Sequence, residues 1–173
     1  MNTAKLGFTC GALVAASIAL SEIHPWGNLR SGVGSNSPLL QSSNVTEDVR
    51  RVLEKKCGDC HSERTHYPAY TRLAPVSWMI EHDIHEGRGV LNLSRWQEYT
   101  ADTRVDLLTR IASESRSGEM PLKQYLLLHP DNRLTTQEQQ QIYDWAKAER
   151  KRIRQQLSEK FGKPALDSRI ERP

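Results

Sequence analysis

The sequence predicts an all-α protein. Apolar residues recur at helical spacing in three separate stretches, Val45, Val49, Val52 and Leu53, then Val105, Leu108, Ile111 and Ala112, then Ile142, Trp145, Ala146, Ile153 and Leu157. Helix boundaries are marked as well, by a capping box of Thr135 with Glu138 and by Gly118 and Gly162 after the last periodic residues. The third observation is the run Cys57-Gly58-Asp59-Cys60-His61 at the end of the first stripe, a C-x-x-C-H of the kind that attaches c-type haem. Together they describe a small helical, c-type cytochrome-like domain wrapped around one covalently bound haem c.

Each part of that run has a chemical task. The two thiols, one helical turn apart, add across the two vinyl groups of a haem, and the histidine directly after the second then lies under the porphyrin as an axial iron ligand. Rival cysteine chemistries lack a partner. A structural zinc site needs four ligands, and the one other cysteine is Cys10, inside an apolar N-terminal run. A redox-active pair or a plain disulfide does not require His61, and no βαβ pattern surrounds the motif.

At 173 residues the chain has the size of one domain, and a haem would enlarge its modest core. A hydrophobic share of 37% and a mean hydropathy of -0.65 describe a rather polar protein. The net charge of +3 is too small to argue for nucleic acid, and composition names no partner. The N-terminus reads as an export signal or membrane anchor over 1–21: Lys5 is the positive start, Leu6 to Leu20 the apolar run, and Ala19 and Ser21 small residues before a cut. That run falls short of the roughly 20 residues that span a bilayer comfortably, which favours cleavage over anchoring. Covalent attachment of haem c takes place outside the bacterial cytoplasmic membrane, so leader and motif support one another and predict a periplasmic location. Residues 22–44, rich in Gly, Ser, Asn and Pro, read as a linker in which His24 is an exposed side chain.

The haem c-binding helical domain is expected over 45–161. Its first helix starts near Asn44 or Thr46, with Glu47 and Asp48 at the positive end of its dipole, and delivers the motif. After His61, the stretch through His66, Tyr67, Pro68 and Tyr70 suits a loop over the haem edge; His66 stands too close in sequence to His61 to reach the opposite face of the iron. Pro75-Val76-Ser77-Trp78 opens a helix, with Ser77 a candidate cap and Gly87 its stop. His82 and His85 share one face of it, but no Cys or carboxylate set completes a metal site. Gly87-Arg88-Gly89 then reads as a loop, either solvated or bringing Arg88 to a haem propionate. Ser94 starts a short helix carrying Trp96, and a longer helix runs from about Asp102 to Arg116.

Glu119-Met120-Pro121 is the second chemically telling stretch. A methionine held in an extended loop by the next proline is suited to place its thioether on the open axial position of the iron. His129 is the alternative sixth ligand, and Met120 is preferred because soft sulfur suits haem iron. The segment from Tyr125 to Pro130 continues this stretch, with a turn at 131–134. The last helix begins at the Thr135 box and is basic outside, through Lys147, Arg150, Lys151, Arg152 and Arg154; this is a solvated face or a dock for an acidic redox partner or anionic lipid. Gly162 and Pro164 end it, and 162–173 reads as a polar tail.

With these residues in view, the chain from about Val49 to Trp145 resembles the bacterial haem-binding-domain family of monohaem c-type cytochromes. The blocks that carry the likeness are Cys57-Gly58-Asp59-Cys60-His61-Ser62 with Thr65, Pro68 and Tyr70; Ala74-Pro75-Val76-Ser77-Trp78; His82 with Glu86-Gly87-Arg88; Leu91-Asn92-Leu93-Ser94-Arg95-Trp96; and Glu119-Met120-Pro121 with Tyr125, His129-Pro130 and Leu134. The chain departs from the family in having Tyr67 and Ala69 in place of a tryptophan-rich loop. The resemblance implies a small all-helical exported protein with haem c bound through Cys57 and Cys60, His61 as proximal ligand and Met120 as distal one. The function expected is electron transfer by a His/Met haem to a redox partner protein. A haem enzyme acting on peroxide or another small molecule, and a haem-bearing accessory subunit of a membrane complex, are the alternatives.

Overall fold

The computed structural model describes residues 3–29 and 39–162. The polar tail from 163 onward, with Pro164, lies outside the described residues, as does the part of the expected linker from 30 to 38. In chain order the helices are α1 (Thr3–Ser21), α2 (Glu47–Lys56), α3 (Gly58–His61), α4 (Val76–Val90), α5 (Ala101–Ser117), α6 (Lys123–Leu128) and α7 (Thr136–Phe161). Short 3-10 turns cover Ala69–Arg72, Leu93–Glu98 and Pro130–Asn132, and the described residues contain no strand. The protein is all-α, as its apolar periodicity predicts. The chain divides into two compact units, the first Met1–Ser37 with Gly58–Ser94, the second Pro38–Cys57 with Arg95–Pro173.

In the first unit α3 packs on α4. Ile84, Leu91 and Leu93 are its buried apolar residues near this crossing. The segment after α1 is tied to α4: Trp78 Nε1 donates to the Ile23 carbonyl at 2.9 Å, and His24 Nδ1 lies 2.7 Å from Glu81 Oε1. His24 is therefore not the exposed linker histidine expected. It covers a glutamate only 1% exposed, for which a bare burial would be costly. Ser17 and Ala74 exchange hydrogen bonds, Ser17 Oγ to Ala74 O at 2.7 Å and Ala74 N to Ser17 O at 3.2 Å. Elsewhere α1 leaves Phe8, Leu13, Val14, Ile18 and Leu20 exposed. Among the described residues no helix is long and apolar enough to cross a membrane.

Two expectations for α4 are corrected. Pro75 precedes the helix as anticipated, but Ser77 is a fully buried interior residue rather than its cap. The helix also runs through Gly87 to Val90, so Gly87-Arg88-Gly89 is its last turn and not a loop. Gly87 is present for another reason: a Cβ there would lie 2.8 Å from the Cys60 carbonyl oxygen. The glycine permits a close crossing of two backbones, not a stop.

In the second unit α5 and α7 form the main packed pair, and α2 leans on α7. Val105, Leu107, Leu108, Ile111 and Ala112 from α5 meet Ile142, Trp145, Ala146 and Ile153 from α7 as the buried core. Helix ends follow sequence chemistry. Thr46 and Thr100 cap α2 and α5, Gly118 ends α5 in the left-handed region at φ 75, and Thr135 with Glu138 closes both halves of the box on α7. Lys123–Leu128, anticipated only as a continuing segment, forms the six-residue α6.

The unit also buries charge. Lys56, 7% exposed, follows Val49 and Leu53 on the inner face of α2, and its Nζ reaches Glu138 Oε2 at 2.6 Å and the Arg133 carbonyl at 2.8 Å. Glu149, 1% exposed, receives both arms of the Arg152 guanidinium at 2.6 Å and the Asn44 amide at 3.2 Å. Burial of a carboxylate is tolerated here because each oxygen is occupied by a charged donor.

Candidate functional site

The motif begins where α2 ends. Cys57 is its C-terminal cap, its N–H donating to the Leu53 carbonyl at 3.0 Å, and Gly58 to His61 form the single turn α3. Cys60 and His61 belong to the first unit, Cys57 and Met120 to the second. Cys10, Cys57 and Cys60 are not joined in a disulfide. Burial pushes the Cys57 thiol up to about 12, with Glu138 adding to the rise and the neighbouring Lys56 opposing it.

His61 is held at one ring nitrogen. Its Nδ1 lies 3.0 Å from the Gly87 carbonyl and 3.1 Å from the Leu91 carbonyl, so Nδ1 carries the proton and donates to them. The Leu91 carbonyl is past the helix end and has no intrahelical partner; the Gly87 carbonyl already accepts the Leu91 N–H at 2.9 Å and offers its second lone pair. Burial lowers His61 below its ordinary value of 6.5, outweighing the two carbonyls that act to raise it. The result is a neutral imidazole whose Nε2 lone pair is left for a metal, the arrangement in which ligating histidines are usually found.

The loop after His61 is fastened to its own turn and to α4. Ser62 Oγ donates to Gly58 O at 2.7 Å and accepts from the Arg64 amide at 3.0 Å, while Thr65 Oγ1 donates to Asp59 O at 2.5 Å and the His66 amide to Asp59 Oδ1 at 2.9 Å. Arg88 completes the brace, with Nε on Ser62 O at 2.8 Å and Nη2 on Thr65 Oγ1 at 3.0 Å. Its guanidinium is thus engaged by the loop. From the other side Ser94 Oγ accepts the Glu63 amide at 3.0 Å, and Asn92 Oδ1 accepts the Ser94 amide at 3.0 Å. Ser94, expected to cap a helix, braces the loop instead.

Met120 is half-buried in the turn that follows α5, its amide donating to Glu114 O at 3.2 Å. His129, the alternative ligand, stacks on Tyr125 with centroids 4.3 Å apart, its Nδ1 3.3 Å from the Tyr125 carbonyl. His66 is exposed, and so are His82 and His85. His82 packs edge-on to Trp26 at 5.1 Å. Among the described residues no group of three or more His, Cys, Asp or Glu is placed to hold a bare metal ion.

A neutral, backbone-oriented imidazole in the residue after Cys60 fits haem, and the family comparison agrees. Residues 15–148 match the family model of the haem-binding domain, and the chain belongs to that family of haem-binding proteins. The match starts at residue 15, so it takes in the end of α1 and the segment after it, which the likeness read from Val49 onward had left out. No curated protein matches the chain, and no solved structure matches it.

Of the residues around the motif, sequence reasoning misread Gly87 as a stop and missed Lys56. Lys56 was legible in principle, since it stands in register with Val49 and Leu53 where an apolar residue belongs. Gly87 carried no such signal, because a glycine near a helix end reads equally as a stop or as a point of contact.

Proposed function

We propose that the protein is an exported monohaem c-type cytochrome that carries electrons. The observation that carries this reading is the orientation of His61, neutral and anchored through Nδ1 in the residue after Cys60. Cys57 and Cys60 would hold the porphyrin by thioethers, and His61 Nε2 and the Met120 sulfur would ligate its iron. When bound, haem iron so ligated supplies one-electron exchange between Fe(II) and Fe(III), the thioether raising its potential.

The chain's own residues supply rigidity. The Gly87 and Leu91 carbonyls fix the ring of His61, and Arg88, Ser94 and Asn92 fix the loop behind it, an arrangement that would limit movement of His61 between oxidation states. The leader-like sequence of α1 supports export, and a redox protein of the periplasm or of a membrane complex is the partner this role requires. Acid-acetone treatment tests the attachment. Haem stays with the wild-type protein and leaves Cys57→Ala/Cys60→Ala; extraction of haem from the wild type refutes the thioethers.

A further inference from the structure

Within the second unit, α5 and α7 border a groove of about 480 Å3. Arg116, Lys147 and Arg150 line it, and among the described residues no carboxylate does. The two stripes arise from helical spacing: Thr109, Ser113 and Arg116 on α5, and Tyr143, Lys147 and Arg150 on α7. Two of the cations are held in place. The Arg116 guanidinium lies over the Tyr143 ring, 4.5 Å from its centroid, and Arg150 Nη1 donates to Thr109 Oγ1 at 2.9 Å. Arg150 Nε is shielded from water and has no hydrogen-bond partner among the described residues, a donor left without an acceptor. Further along α7, Lys151 and Arg154 line an adjoining groove and add positive potential; its acidic residue, Asp144, accepts from Gln140 Nε2 at 3.0 Å.

We propose that this groove binds the phosphate group of a phosphate ester. Two guanidinium groups, an ammonium and the hydroxyl of Ser113 offer more donors than the two oxygens of a carboxylate can use, while a phosphate accepts a forked arginine and a lysine together; the Thr109 hydroxyl, which donates to the Val105 carbonyl at 2.9 Å, serves to hold Arg150. The volume exceeds that of the bare ion and leaves room for the esterified group. Prior placement of Arg116 and Arg150 lowers the ordering cost of binding. The site is independent of the haem residues and does not rest on the redox reading.

The test is calorimetric titration of the haem-loaded full chain with inorganic phosphate and with glycerol 3-phosphate. Saturable binding is expected, weakened roughly tenfold by either Arg116→Gln or Lys147→Gln, each removing one charged donor. Lys151→Gln, in the adjoining groove, changes it less than about twofold by the weak effect of an exposed charge. Circular dichroism melts of the variants confirm that the fold is kept. No saturable binding, or binding equal in the wild type and in Arg116→Gln/Lys147→Gln, overturns the proposal. Co-sedimentation with phosphatidylglycerol vesicles separates the sources. Because the exposed apolar residues of α1 would add a background of vesicle binding common to both proteins, only the difference between wild type and the double variant is read. A difference abolished by glycerol 3-phosphate assigns a lipid headgroup, and no difference beside intact binding of free glycerol 3-phosphate assigns a soluble ester.

Discussion

His61 Nδ1 lies 3.0 Å from the carbonyl of Gly87, and that contact exists because residue 87 has no side chain. The backbone of α4 comes close enough to Cys60 for a Cβ at 87 to sit 2.8 Å from the Cys60 oxygen and 3.2 Å from the Cys60 Cβ. One small residue thus sets the distance between two helices, and that distance orients the imidazole.

Gly87→Ala is expected to destabilise the protein by about 1–2 kcal/mol, overpacking at the crossing outweighing the gain in helix propensity. Gly89→Ala is the internal control. It lies in the same helical turn with nothing within 4 Å of its Cβ, and it stabilises by about 0.5–1 kcal/mol. Urea unfolding of the two variants checks the opposite signs; equal effects would remove the steric account.

Arg88→Gln removes the fork that joins Ser62 O and Thr65 Oγ1, both in buried residues. A loss of about 1.5–3 kcal/mol is expected, the range for hydrogen bonds to a charged group. Hydrogen exchange at amides 62–66 should accelerate while α5 and α7 keep their protection. Uniform acceleration across the chain would mean that Arg88 supports the whole fold rather than this loop.

The Lys56–Glu138 pair predicts an acid-sensitive stability. Burial acts to raise the Glu138 carboxyl, but its bonds from Lys56 and from Thr135 outweigh that and hold it below its ordinary value of 4.5. A carboxyl lowered on folding contributes stability above 4.5, and that contribution is lost as the pH falls through the folded value. Melting temperature measured downward from pH 6 should therefore fall less steeply in Glu138→Gln than in the wild type.

Thr135→Ala costs about 1 kcal/mol through the lost cap of α7. Its effect should not add to that of Lys56→Ala, since the Thr135 Oγ1 that accepts the Glu138 amide at 3.2 Å holds in the box the Glu138 side chain, whose carboxylate takes the Thr135 amide, kept in the variant, at 2.7 Å and Lys56 Nζ at 2.6 Å. A double-mutant cycle by urea unfolding measures the coupling, expected at about 0.5 kcal/mol or more. Strict additivity would show that the carboxylate serves the two partners independently.

Met120→Ala tests the distal ligand. The oxidised wild type should show the weak far-red band of sulfur-ligated haem iron, and the variant should lose it and turn high-spin. A wild type lacking the band, with a spectrum changed instead by His129→Ala, would transfer the role to His129.

Much of the fold was legible. Thr46, Thr135, Glu138 and Gly118 mark helix ends through local hydrogen bonds and local dihedrals, and the stripes of α5 and α7 mark their buried faces through periodicity. α6 was not, because six residues of Lys-Gln-Tyr-Leu-Leu-Leu lack the length for a periodic pattern and leave Leu127 and Leu128 exposed. His24 was misread for a similar reason. An isolated histidine in a polar tract carries no sign of the Glu81 carboxylate 57 residues away.

The sequence by itself determined the helical class and marked the motif, since C-x-x-C-H spacing, caps and stripes act over a few residues of chain. Tertiary structure alone decided which nitrogen of His61 is left for a ligand, what Gly87 is for, and where Arg88 and Lys56 spend their charge. Each depends on a contact between segments more than twenty residues apart, and no local pattern encodes a distance of that kind.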